Sequence, residues 1–245
     1  MTYSEETLKS LPQNHGFRLR GTEMTRLETF TDAAFAFAIT MLVVSVGKIP
    51  GNYDELILAL KGVPAFAASF AGIMFFWAGH RKWSRRFGLE DGATTIVSLC
   101  LVFVMLVYVY PLRLMFSALF AWISGGALPS EFAIDEQSEL VSLFIVYGLG
   151  LTALSAMLAL LNLRARFAAK TLQLNELELI FTNEEIIIWS VQAVTGLISA
   201  CFAWLMPSRI AVFAGFVYVT FPITMPTVAI YFSRKVEKVQ LMRNQ

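Results

Sequence analysis

The chain has 245 residues, 57% of them hydrophobic and 15% charged, with a net charge of +1. A soluble domain of this size carries charge on about a quarter of its residues, and a nucleic-acid binder carries a basic excess. Composition argues against both. The apolar residues fall in long blocks, which leaves an integral membrane protein.

The N-terminal arm, "MTYSEETLKSLPQNHGFRLRG", is polar and lacks the apolar core of a cleaved signal peptide. His15 within it reads as solvated. Six membrane spans are predicted, at about residues 27–46, 57–79, 94–112, 140–161, 186–206 and 210–232. The third stays apolar past Pro111 to about Ile123, with Pro111 as a kink point and Arg113 free to snorkel to an interface. The turn "GGALPSEFAIDEQSE" ahead of the fourth span is acidic and has no Lys or Arg. The stretch 165–185 is too polar to span, and reads either as a short amphipathic surface helix or as a solvated connector. Glu90–Asp91 and Glu184–Glu185 are placed to stabilise helix N-termini. Pro222 and Pro226 are candidate breaks in the last span. Cys100 and Cys201 lie in apolar blocks and read as buried thiols rather than a disulfide.

The basic residues set an orientation. Lys9, Arg18, Arg20 and Arg26 precede the first span. Arg81, Lys82, Arg85 and Arg86 follow the second, Arg164, Arg166 and Lys170 follow the fourth, and Arg234, Lys235, Lys238 and Arg243 close the chain. The opposite side has only Lys48, Lys61, Arg113 and Arg209. Positive-inside counting places both termini in the cytoplasm, and an even number of spans agrees. The expectation is a single all-α membrane domain over residues 1–245, multi-pass in a cell membrane, and in the plasma membrane if the source is bacterial.

Catalytic signatures are missing. There is no HExxH, no GxSxG, no Walker loop and no His/Cys/Asp/Glu set with metal-ligand spacing, so neither an enzyme nor a bound cofactor is expected. A TVGYG-type carbonyl filter and an S4-like arginine run are also missing.

What demands an explanation is the first span, "RLETFTDAAFAFAITMLVVSVGKIP", which carries Asp32 among apolar residues. An ionised carboxylate in hydrocarbon costs about 2.5 kcal/mol or more. At about 100° per residue, Ala33, Phe37, Thr40, Val44 and Gly47 share one stripe, centred about 100° round the helix from Asp32. If that stripe lines a path, Asp32 points sideways into protein and needs partners. Arg26 and Thr31 are near it in sequence. The second span ends "FFWAGHRKW", where Trp77 and His80 lie three apart on one face and both offer N–H donors. An interhelical network of Arg26, Thr31, Asp32, Trp77 and His80 satisfies the carboxylate. An interfacial belt pair is the other reading of Trp77 and His80.

The pattern Arg26, Phe30, Thr31, Asp32, Phe35, Ala36, Ala38 and Thr40, with Trp77 and His80, resembles the signature of the transmembrane protein 175 family, the endosomal and lysosomal potassium channels and their bacterial homologues. The likeness is specific over about residues 26–46 and 70–83. It implies a homotetramer whose pore is lined by four copies of the first helix, with potassium as the permeant ion. By that likeness Phe37 is the hydrophobic constriction and Thr40 contributes to selectivity, with Ala33 and Val44 on the same path. The Asp32 network packs the pore helices. Two positions depart from the family pattern: Thr31 stands for the usual Ser, and Phe37 for the usual Ile or Leu. Phenyl rings either occlude the pore more firmly than branched aliphatics or offer their faces to a cation; simple helix packing is the plainer role for Phe37. The competing functions are a secondary transporter, although no repeat relates residues 1–123 to 124–245, and a non-conducting membrane scaffold.

Overall fold

Caps written into the sequence set where the helices begin. The structure, a computed structural model, describes residues 5–45, 49–131 and 136–243. A short helix α1 (Glu5–Ser10) and a two-stranded hairpin, β1 (Gln13–Asn14) and β2 (Phe17–Arg18), form the arm. Helix α2 (Arg26–Val44) starts where the Thr25 hydroxyl accepts a hydrogen bond from the Glu28 amide at 3.1 Å. A short helix α3 (Tyr53–Lys61) follows, then α4 (Val63–Phe87), which ends at Gly88 in the left-handed conformation with φ of 57°. Asp91 caps α5 (Gly92–Ile123) by accepting from the Thr94 amide at 2.9 Å. Helix α6 (Gln137–Phe167) leads to α7 (Glu176–Leu205), where Asn175 and Glu178 form a reciprocal capping box. The chain closes with α8 (Ser208–Ala211), a 3-10 segment Val212–Thr220, and α9 (Phe221–Arg243).

Six of these stretches are long and apolar enough to cross a membrane: Arg26–Val44, Val63–Phe87, Gly92–Ile123, Gln137–Phe167, Glu176–Leu205 and Arg209–Met242. The six expected spans are therefore present, with several boundaries moved. The second starts at Val63 rather than near residue 57, because Gly62 and Pro64 separate the amphipathic α3 from it. The fifth starts at Glu176, so most of the stretch 165–185 belongs to α6 and α7 rather than to a surface helix or connector. Glu184 and Glu185 consequently lie inside α7, not ahead of it. The helix runs unbroken through Pro111. Pro222 and Pro226 do not break α9 either. Pro222 stands in its first turn, where a missing amide costs nothing, and the irregular backbone lies before it. The end of the first span, with Gly47 and Lys48, and residues 132–135 of the acidic turn lie outside the described residues.

α2 packs on α4 and α5, and α5 on α6; α6 and α7 form the most intimate pair. They cross at Gly148 and Gly196, where a Cβ on Gly148 would stand 2.7 Å from the Gly196 carbonyl. Thr152 ties the crossing by donating to the Ala193 carbonyl at 3.1 Å. Small residues let membrane helices approach in this way. The shared core contains Phe35, Leu42, Ile73, Phe76, Leu101, Met105, Leu154, Leu158 and Trp189. Outward faces are apolar too, with Phe103, Val107 and Ile198 all exposed, as a hydrocarbon solvent requires. Cys100 and Cys201 belong to those outward faces, so they are free exposed thiols and not buried ones.

Candidate ion-conduction site

Helix α2 has two unlike faces. Glu28, Thr31, Phe35, Ala38 and Leu42 are buried against the bundle. Opposite them Phe30, Ala33, Ala36, Phe37, Thr40, Val43 and Val44 are exposed, with Phe37 at 57% and Val44 at 72%. The spacing is that of one helical stripe, and among the described residues nothing covers Ala33, Phe37, Thr40 and Val44. The Thr40 hydroxyl donates to the Ala36 carbonyl at 3.1 Å. With its proton turned inward, the lone pairs of that oxygen are left for whatever lies outside.

Asp32 lies at the edge of the buried face. Its carboxylate accepts a hydrogen bond from the Trp77 indole N–H of α4 at 2.8 Å. The Arg81 guanidinium sits 5.1 Å from the centre of the Trp77 ring. The other three expected partners go elsewhere. The ring of His80, buried, bonds Ser98 of α5 at 3.0 Å. The Thr31 hydroxyl donates to the Leu27 carbonyl at 2.7 Å within its own helix. Arg26 is exposed and pairs with no carboxylate among the described residues. It lines a cavity of about 410 Å³ with Leu27, Phe30, Glu90, Thr95 and Leu99 instead. The five residues thus form separate contacts. Asp32 and Trp77 tie α2 to α4, while His80 and Ser98 tie α4 to α5.

Several charged side chains form contacts between elements that the sequence did not foretell. Arg113 is buried, not snorkelled, and pairs with Glu131 through two parallel contacts, one of them Nε to Oε2 at 2.6 Å. Glu131 is held there because its amide donates to the Ser117 hydroxyl at 2.7 Å. Glu185 accepts from Trp189 at 3.2 Å and pairs with Lys82 and Arg86 of α4. Glu178, fully buried, receives Arg18 and Arg20 of the arm. Only the last left a trace in the sequence, as the Asn-x-x-Glu spacing of a capping box. Among the described residues no group of three or more His, Cys, Asp or Glu could hold a metal ion.

Six apolar spans, with a mixed-polarity face on the first that no described residue covers, define a polytopic membrane protein. The profile of the family described as "Endosomal/lysosomal potassium channel TMEM175" matches residues 26–111. A potassium channel of Marivirga tractuosa is 34% identical over 214 residues, which cover 84% of this chain and 86% of that protein. A potassium channel of Chamaesiphon minutus is 35% identical over 68 residues, 24% of this chain and 33% of that protein. Among solved structures, a variant of the potassium channel MtTMEM175 in complex with a Nanobody-MBP fusion protein superposes with a TM-score of 0.76 at 31% identity, covering 93% of this chain and all of that one. The chain belongs to the TMEM175 family, a family of channels and not of enzymes.

Proposed function

We propose that the protein is a potassium-preferring cation channel, conducting through a pore lined by α2 from four copies of the chain. The observation that carries this reading is the uncovered stripe of Ala33, Phe37, Thr40 and Val44 on a helix whose other face is core. One such helix cannot enclose a path, whereas several copies facing inward can. Four Phe37 side chains would then make the hydrophobic constriction and gate by dewetting. Four Thr40 oxygens, with lone pairs outward, would offer a ring of weak ligands next to it. A potassium ion would cross partly dehydrated, without carbonyl cages, so preference over sodium should be modest. Asp32 and Trp77 would hold α2 against α4 and stay out of the ion path. Both termini would be cytoplasmic in a cell membrane, following the basic residues at that end. The family membership and the potassium-channel relatives support the same reading.

The test is reconstitution in liposomes with potassium and sodium flux measured separately. Potassium flux above sodium flux is the expected outcome. Equal rates for the two ions would remove the preference, and saturable, counter-ion-dependent exchange would favour a transporter. No flux of either ion from an intact assembly would mean that Phe37 closes the pore or that the motif serves only assembly, and flux restored in Phe37→Ala would separate the two.

A further inference from the structure

The pore helix does not start freely. Residues 17–21 of the arm are held against two other helices just before α2 begins. The Glu178 carboxylate, side chain fully buried at the start of α7, accepts from the Arg18 amide, Arg18 Nε and Arg20 Nη1 at 3.0 Å each through Oε1. Its Oε2 accepts from Arg18 Nη2 at 2.6 Å, Arg20 Nη2 at 3.0 Å and the Asn175 amide at 2.9 Å. Arg20 Nε also donates to the Leu172 carbonyl at 2.9 Å, and Arg18 Nη2 to the Gln173 carbonyl at 2.8 Å. Both guanidiniums are therefore spent on one carboxylate and one turn of backbone.

A second attachment fastens the same segment to α4. The last carbonyls of a helix lack partners within it. Here the Arg85 carbonyl accepts from the Gly21 amide at 3.1 Å and the Arg86 carbonyl from the Arg20 amide at 3.4 Å. Phe17 is buried beside them, edge-on to Phe87 at 5.6 Å and under the Arg86 guanidinium at 4.7 Å. Gly21 is required at that contact, because a Cβ there would stand 2.5 Å from the Ser84 carbonyl oxygen. After Gly21 only residues 22–25 separate the attachment from the first turn of α2. A tether so short passes any displacement of residues 17–21 on to α2.

We infer that the arm is a collar that sets the position of α2, with Arg18, Arg20 and Glu178 as its positioning residues. The inference rests on the channel reading for its effect on conduction, but its structural part does not. Releasing the collar moves the N-terminal end of α2, and so the spacing of the four stripes. None of these residues touches the stripe itself.

The experiment uses the full chain with Cys100→Ser and Cys201→Ser as background. Spin labels are placed at Thr29→Cys on the exposed side of α2 and at Phe167→Cys at the end of α6, and labelled chains are diluted with unlabelled ones. The distance between labels and the potassium flux are measured for this protein, for Glu178→Gln and for Gly21→Ala. Gly21→Ala pushes the arm from α4 while leaving the ionic cluster whole, so it carries the test if Glu178→Gln does not fold. The expected result is a displaced or broadened distance distribution and a several-fold change in flux per assembled channel, with the assembled size unchanged. An unchanged distance in the folded variants overturns the collar. A displaced distance with unchanged flux, in a protein that conducts, overturns its coupling to the pore. A displaced distance in a protein that never conducts supports the collar and sinks the channel reading alone.

Discussion

Replacing Trp77 with Phe keeps an aromatic ring between α2 and α4 and deletes only the N–H that reaches Asp32 at 2.8 Å. A hydrogen bond to a charged group contributes about 1.5–3 kcal/mol when well buried. Asp32 is only partly buried, so solvent can serve part of its carboxylate. The expected cost is therefore at or below the lower end of that range, about 1–2 kcal/mol. That corresponds to a change of about 5- to 30-fold in the folded-to-unfolded ratio. The clean measurement is a double-mutant cycle with Trp77→Phe and Asp32→Ala, read by reversible unfolding of the full chain in mixed micelles. A coupling energy of about 1–2 kcal/mol is the outcome that fits. If the two single substitutions add to within about 0.5 kcal/mol, the indole and the carboxylate are neighbours without being partners, and the account of Asp32 fails. The potassium-to-sodium flux ratio should not move in Trp77→Phe. A changed ratio with assembly intact would put Asp32 in the ion path.

Phe37→Ala should raise leak of potassium and sodium alike through a widened constriction; unchanged liposome flux would take Phe37 out of the pore. Because Phe37 is exposed in the chain, the same substitution should leave the unfolding of the protomer nearly unaltered. Asp32→Asn should reduce the yield of assembled protein more than it alters ion preference, as size-exclusion and flux measurements on one preparation would show. Gly148→Val drives side-chain atoms into the Gly196 carbonyl and should destabilise the α6–α7 pair by about 1–3 kcal/mol; an unaltered melting temperature would contradict the close crossing. Glu131→Gln removes the charge paired with the buried Arg113 guanidinium, whose Nη1 already lacks a partner, and, with Glu131 itself open to solvent, should cost about 1–3 kcal/mol. The double substitution Arg113→Met with Glu131→Gln should recover much of that loss in the same unfolding assay.

Hydropathy is a property of consecutive residues, so six spans could be read before any helix was packed. Composition settled the membrane class for the same reason. The uncovered stripe on α2 was also legible, because helical periodicity alone decides that Ala33, Phe37, Thr40 and Val44 share a face. Asp32 announced its need for a partner, and Trp77 was a sound candidate. Which donor met it was not decidable, since His80 shares a face with Trp77 yet turns to Ser98 on a third helix. The start of α7 lies in a polar segment: residues 176–185 are poor in apolar runs, yet the helix opens at the Asn175–Glu178 capping box, and Glu178 and Glu185 pair with cations on the arm and on α4. The Arg113–Glu131 pair and the cluster at Glu178 escaped for one reason. Their charges are compensated by residues on other elements, up to 160 positions away. A sequence states that a buried charge will be costly; only the crossing of the helices decides which opposite charge lies close enough to offset it.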